Sequence, residues 1–195
     1  KTLTHYAVRK VDVDKNLKTI TFSDEAHAAA FIGLIRPRGD TKRLGNFGFE
    51  ASNQAALCNG NKLYWAKGPT ATTDVTRARG KISKSALPGA KTFNDCDELT
   101  IQLNGWSGRS YLGPTTICRF NDGREAFSSL AKPAAIQQFK TSFEKITKKP
   151  NGLMFTEDPY IGELYFGHNK RYIAGAYGFE KGSQAIEIIQ LLLAE

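Results

Sequence analysis

Thr115-Thr116-Ile117-Cys118-Arg119-Phe120-Asn121-Asp122-Gly123-Arg124-Glu125-Ala126-Phe127 decides the fold class. Two runs rich in β-branched and apolar residues, Thr115 to Phe120 and Arg124 to Phe127, flank Asn121-Asp122-Gly123. Asp-Gly supplies the positive φ that a tight hairpin turn demands, so the stretch reads as two antiparallel strands. A helix follows, with Pro133 near its first turn, where a missing N–H costs nothing. Ile136, Phe139, Phe143 and Ile146 line one of its faces, and Lys148-Lys149-Pro150-Asn151-Gly152 ends it.

The same order of elements flanks this unit on both sides. His5 to Asp14 and Leu17 to Phe22 alternate apolar and polar residues around a polar turn at Asp14, Lys15 and Asn16. Ser23 then suits an N-cap, Asp24 and Glu25 suit the first turn, and the helix should run to about Ile35 and stop before Pro37. Towards the C-terminus, Ile161–Phe166 pairs with Tyr172–Tyr177 across Gly167-His168-Asn169-Lys170. A Ser183-capped helix with Ala185, Ile188, Ile189 and Leu192 towards the core closes the chain. That helix is apolar on almost every side, which suits burial in the domain or a subunit interface. Three hairpin-then-helix units predict an α+β fold: an antiparallel sheet built from hairpins, each followed by a helix packed on one face.

The middle of the chain breaks the pattern. Asn59-Gly60 can turn a hairpin into Lys62–Lys67, and Gly68 to Thr73 reads as a flexible loop. Asp74 to Lys84 alternates as a strand would, with Val75, Arg77, Arg79 and Lys81 on one side and Thr76, Ala78, Gly80 and Ile82 on the other. Residues 62–84 are therefore expected as two long strands with a mobile tip, or one strand and a basic arm. Ser83 to Thr92 reads as a linker before a strand at Leu99–Leu103. The gap is compatible with two subdomains, but a single domain over 1–195, with a basic hairpin or arm at about 60–91, is the favoured organisation.

The chain holds 195 residues and carries a net charge of +8. At this length roughly 70% of the unfolded surface can be buried. Hydrophobic residues at 41% and charged residues at 24% exclude wholesale disorder. The excess charge is local. Residues 36–91 hold eleven Lys and Arg against three Asp and Glu, whereas 1–35 and 92–195 are nearly balanced. A one-signed segment attracts polyanions over a Debye length or more.

Within that segment Tyr64 and Trp65 add aromatic faces, and cations beside aromatic rings are what a nucleic-acid groove needs. The expected binding residues are Arg36, Arg38, Lys42, Arg43, Lys62, Tyr64, Trp65, Lys67, Arg77, Arg79, Lys81 and Lys84. Arg77, Arg79 and Lys81 would form a stripe on one strand face. The reading is a non-enzymatic, single-stranded DNA- or RNA-binding protein that forms a homo-oligomer and needs no cofactor, with no metal or catalytic residue assigned. In its order of elements the chain resembles Whirly-type proteins, whose strand-then-helix repeats present a sheet to single strands; the resemblance is one of organisation, without signature residues.

Two rivals remain open. Asp95, Asp97 and Glu98 could hold a divalent cation in a nuclease or transferase acting on a polyanion. Alternatively, a basic arm could package nucleic acid in a nucleoprotein or virion. No Gly-x-Gly-x-x-Gly, P-loop or nucleophile elbow is present, and His5, His27 and His168 lack metal or triad spacing. Ser142-x-x-Lys145 has no supporting motif. Cys58, Cys96 and Cys118 are odd in number and widely spaced, which suits buried thiols in a cytoplasmic or other reducing compartment. No apolar stretch reaches the ~18 residues of a membrane span. No signal peptide is visible, and a start at Lys1 is what a trimmed end would give.

Overall fold

Lys15 takes φ +52° and, with Asn16, folds β1 (Val8–Asp14) back onto β2 (Leu17–Phe22) as an antiparallel hairpin. The computed structural model describes residues 5–81, 83–149 and 152–195. Ile82 of the expected strand, and Pro150 and Asn151 of the expected helix stop, lie outside the described residues. Helix α1 (Glu25–Ile35) follows the first hairpin. Its cap is Asp24 rather than Ser23: the Asp24 carboxylate accepts the His27 N–H at 3.0 Å, and the Ser23 hydroxyl donates to that carboxylate at 2.9 Å. An ionised acceptor at the N-cap also meets the positive end of the helix dipole, so the carboxylate outcompetes the hydroxyl.

Four more strands complete this sheet: β3 (Lys42–Arg43), β4 (Gly48–Ala51), β5 (Gln54–Asn59) and β6 (Lys62–Lys67). The order is β1-β2-β6-β5-β4-β3, antiparallel throughout. Next comes α2 (Ala71–Arg79), and here the structure corrects the expected Asp74–Lys84 strand. Thr72, Thr73, Val75 and Thr76 favour strands, yet Ala71 and Val75 sit four apart on a helix face. There they pack against Ala55, Leu57 and Ala66. Burial of that face outweighs a β-propensity that spans only about 1 kcal/mol, and Gly80 at φ 65° stops the helix. Residues 62–79 thus hold one strand and one helix, and Ala71 to Thr73 are helical rather than loop.

The second set of elements comprises β7 (Glu98–Gln102), a 3-10 turn (Ser110–Leu112), β8 (Thr115–Arg119), β9 (Glu125–Leu130), α3 (Pro133–Thr141), β10 (Thr147–Lys148), β11 (Met154–Asp158), β12 (Gly162–His168), β13 (Tyr172–Tyr177) and α4 (Gly182–Leu193). The sheet order is β10-β11-β12-β13-β9-β8-β7. Helix α4 begins at Gly182 with Lys181 at its cap, so Ser183 lies in the first turn. Ala185, Ile189 and Leu192 are buried as expected, whereas Leu191 is 55% exposed.

By compactness the chain divides into a first unit, Lys1–Leu87 with Leu99–Ile101, and a second unit, Pro88–Glu98 with Gln102–Glu195. The α+β class is the one expected, and the hairpin-then-helix unit occurs four times among the described residues, β5-β6-α2 being the one the sequence hid. In each unit the two helices take opposite faces of their sheet. In the first, α1 packs with Ile20, Phe22, Phe49 and Leu63, while α2 takes the other side. In the second, α3 joins Phe127, Phe139, Phe166 and Ile173, while α4 lies against β13 and β12 on the Gly167 side. The topologies also match. β8-β9-α3-β10-β11-β12-β13-α4 repeats β1-β2-α1-β3-β4-β5-β6-α2 element for element, with the same neighbours in each sheet and β7 added at one edge.

Candidate nucleic-acid interface

Strand alternation sends Tyr64 and Trp65 to opposite faces of the first sheet. Tyr64 packs on the α2 side with Ala55, Leu57 and Ala66. Trp65 lies half-buried on the α1 side, beside the core of Leu63 and Phe49. The pair therefore does not form one stacking surface.

Trp65 is instead the centre of a cross-strand row. Register places Val13 opposite Lys18, Lys18 opposite Trp65, Trp65 opposite Ala56, Ala56 opposite Phe49, and Phe49 opposite Arg43. Directly opposed residues share a face, so the row lies on the α1 side. The Lys18 ammonium stands 5.2 Å from the Trp65 ring centre and that of Lys67, two residues along β6, stands 5.3 Å away. The indole N–H donates to Gln54 Oε1 at 3.3 Å, which fixes the ring plane. Farther along, the Arg36 guanidinium lies 5.8 Å over Phe49 and donates to Gly48 O at 3.1 Å. Arg43 donates to Gly45 O at 3.0 Å. Lys18 and Gln54 were missed by sequence reasoning because Lys18 sits in a stretch of balanced charge; only the register brings it to Trp65.

The other expected cations fall elsewhere. Lys62 begins β6 at the end remote from Lys67, and Arg77 and Arg79 ride on α2, where a two-residue spacing turns them about 200° apart rather than into a stripe. Asn59 gathers the chain beyond α2: its amide N–H groups donate to Arg79 O at 3.2 Å and Lys81 O at 2.9 Å, and its carbonyl accepts the Ser83 N–H at 2.8 Å. Lys81 is held beside the Asn59–Lys62 turn in this way. Arg38, Lys42 and Lys84 are exposed, with Lys42 opposite Glu50 on β3. Cys58 lies in the same sheet, where burial and then the nearby Glu25 charge push its thiol pKa up; it is a packing residue.

The charge follows the unit boundary. The first unit carries fifteen Lys and Arg against seven Asp and Glu, a net of +8, and the second carries twelve of each, a net of zero.

The second unit has its own polar features. Glu125 is 7% exposed; it accepts Trp106 Nε1–H at 2.7 Å and Arg119 Nε–H at 2.8 Å, and Arg119 reaches Glu98 at 3.6 Å. Burial disfavours the Arg119 charge, but Glu125 and Glu98 outweigh it and hold the guanidinium charged. Burial and Glu125 likewise raise the Tyr177 pKa. Glu98 is thereby engaged, and Asp97 accepts the Asn121 N–H at 2.8 Å. Among the described residues no three His, Cys, Asp or Glu side chains gather as a metal site. A cavity of about 1190 Å³ opens beside Arg109, Tyr111, Phe143, Lys145 and Asp158. At its floor Arg109 pairs with Asp158 at 3.1 Å and lies 4.9 Å over both Trp106 and Phe143. Ser142 lines it too, but its hydroxyl donates to Phe139 O at 2.7 Å.

Among the described residues no helix is long and apolar enough to cross a membrane. No protein-family model, curated protein or solved structure matches the chain.

Proposed function

We propose that the first unit binds single-stranded nucleic acid on the α1 side of its sheet, with Trp65 as the stacking surface and Lys18 and Lys67 as phosphate contacts. One observation carries the reading: a half-buried tryptophan flanked by two ammonium groups at 5.2 and 5.3 Å, in the unit that holds the whole net charge of +8. Phosphates need cations at a base's distance from an aromatic face, and this row supplies both. The lysines do not block the ring. A cation–π contact at an exposed site contributes about 0.5–1 kcal/mol, whereas a base stacked on an aromatic contributes about 1–3 kcal/mol. The two contacts together contribute about 1–2 kcal/mol, so an incoming base matches or exceeds them and the displaced ammonium groups gain its phosphates as partners. Arg43 and Arg36 extend the positive track along the same face. Tyr64 and Arg77 lie off it, and of the two only the Arg77 charge contributes, as long-range field.

Binding of labelled single- and double-stranded DNA and RNA across a salt series tests this. Single strands of at least one sugar type are expected to bind more tightly than duplex, with affinity falling as salt rises. No binding at low salt, or preference for duplex of both types, overturns the reading.

A further inference from the structure

Strand β1 ends its sheet, and from Lys10 to Asp14 every residue is exposed, with Val11 at 46% and Val13 at 63%. An edge of this length with no strand beside it among the described residues is a template for another strand, and proteins ordinarily blunt such edges with like charge, proline or a bulge. Here a bulge interrupts the pairing only between Val8 and Lys10, and the charges beyond it are of mixed sign, Lys10 against Asp12 and Asp14, rather than one repelling sign.

The direction of the backbone groups can be read from the next strand. Phe22 donates its N–H to Asn61 O at 2.9 Å, away from β1. By alternation Ile20 and Lys18 also face β6, while Thr21 and Thr19 face β1 and bond to Lys10 and Asp12, their register partners. Val11 and Val13 consequently turn their N–H and C=O groups outward from the sheet.

We propose that a second copy of this chain pairs antiparallel along β1, centred on Val11 opposite the partner's Val11. In that register Val11 forms the hydrogen-bonded pair, and Lys10 faces the partner's Asp12 in the closer, non-hydrogen-bonded pairs on either side. Every other symmetric register is penalised. Centring on Asp12 or Lys10 opposes like charges at the axis, and centring on Val13 sets Asp12 against the partner's Asp14. Within one chain Lys10 already reaches Asp12 at 2.9 Å, so pairing adds two cross-strand contacts to two existing ones. The twofold axis stands perpendicular to the sheet, so both α1-side faces lie on one side of a continuous twelve-stranded sheet. Five strand spacings then separate the two Trp65 strands, about 24 Å. The pairing stands independently of the nucleic-acid reading and is measured without nucleic acid.

One strand pair buries less than a standard interface, so the association belongs in the micromolar range or weaker. Sedimentation of the whole chain over a concentration series should show a monomer–dimer equilibrium. Lys10→Asp or Asp12→Lys alone should shift it to monomer by at least tenfold in dissociation constant, and the double exchange should restore the dimer. These side chains are exposed, and circular dichroism checks that the fold is retained. Val11→Cys should cross-link under mild oxidation, because hydrogen-bonded partners lie about 5.5 Å apart, within disulfide reach. Val13→Cys should not, since its own copy lies four residues out of register. A wild-type monomer at all concentrations, single exchanges that dimerise like wild type, or equal cross-linking at positions 11 and 13 would each overturn the pairing.

Discussion

Replacing Lys18 and Lys67 together by Gln removes the two ammonium groups at Trp65 while leaving the ring, the sheet and the core in place. Both side chains are exposed, and losing their two cation–π contacts should cost at most about 1–2 kcal/mol of stability. Each phosphate contact with a single strand contributes about 0.7 to the slope of log affinity against log salt. Loss of two contacts makes the slope shallower by about 1.4. Between 50 and 200 mM salt the wild-type affinity should therefore fall by about sevenfold more than that of the double variant. Fluorescence anisotropy of a labelled single strand, titrated at four or more salt concentrations, reads the slope directly. The control is Lys170→Gln with Lys181→Gln, two exposed lysines of the electrically neutral second unit, which should leave the slope unchanged. Trp65→Ala should in turn weaken binding by about 1–3 kcal/mol, or about 5- to 150-fold, with the slope retained, because the ring contributes stacking and not charge. If the lysine pair leaves affinity and slope at wild-type values, or the control pair changes them as much, the assignment of this face is wrong.

The remaining expectations concern stability. Glu125→Ala leaves the buried Trp106 N–H without its acceptor and removes one of the two carboxylates paired with Arg119, and about 1–3 kcal/mol should be lost in urea unfolding; no measurable loss refutes that role. Burial raises the Asp24 pKa, but hydrogen bonds from His27 and Ser23 outweigh it, and the folded value lies below the ordinary one. Its contribution is present above the unfolded carboxylate value and is lost as pH falls through the folded one, so Asp24→Ala should cost about 1 kcal/mol at neutral pH and flatten that acid loss. A variant that keeps the wild-type acid dependence rules out the cap as its source. Burial and then the Lys140 charge lower the His168 pKa. The neutral ring is favoured in the fold, so stability should decline as pH drops below about 6.5, and His168→Gln should remove that part of the pH profile.

Hairpins were legible where a turn residue carried the conformation itself, as Asp122-Gly123 and Asn59-Gly60 do. Helix α2 was not, although its signals are present: Ala71 and Val75 four apart, the Thr70 hydroxyl bonded to Asp74 at 2.7 Å, and Gly80 at φ 65°. Alternating β-branched and basic residues hid them, and the deciding partner, the Ala55–Leu57–Ala66 face, is remote in sequence. Charge located the basic unit but not the Trp65 row proposed as its interface. Arg36, prominent in composition, is tied to Gly48 O, whereas Lys18, inconspicuous in the sequence, faces Trp65 through strand pairing. Spacing within a segment reports which residues share a face only once the type of element is known, and for residues 74–84 the wrong period gave a stripe that does not exist.

The repeated topology gives the Trp65 row an internal comparison. Counted along the matching strands, the second residue is Leu63 in β6 and Ile173 in β13, both buried on the side of the first helix of the unit. The fourth is Trp65 in one and Gly175 in the other, opposite Lys18 and Phe127 respectively. In the second unit Phe127 fills this place: a Cβ on Gly175 would come within 2.5 Å of its ring, and Trp106 stacks on that ring at 4.1 Å. Apolar surface is closed there by apolar surface, and the charge of that unit sums to zero. In the first unit the same place holds a large ring left half-buried, faced by a lysine instead of a phenylalanine. Stability alone favours the closed arrangement, since an exposed cation–π contact contributes less than full burial of an aromatic side chain. One topology with two fillings therefore separates what the fold requires from what it does not. Leu63 and Ile173 are required by the core, while Trp65 with Lys18 and Lys67 departs from the apolar filling of the second unit, a departure for which the proposed single strand would give a reason.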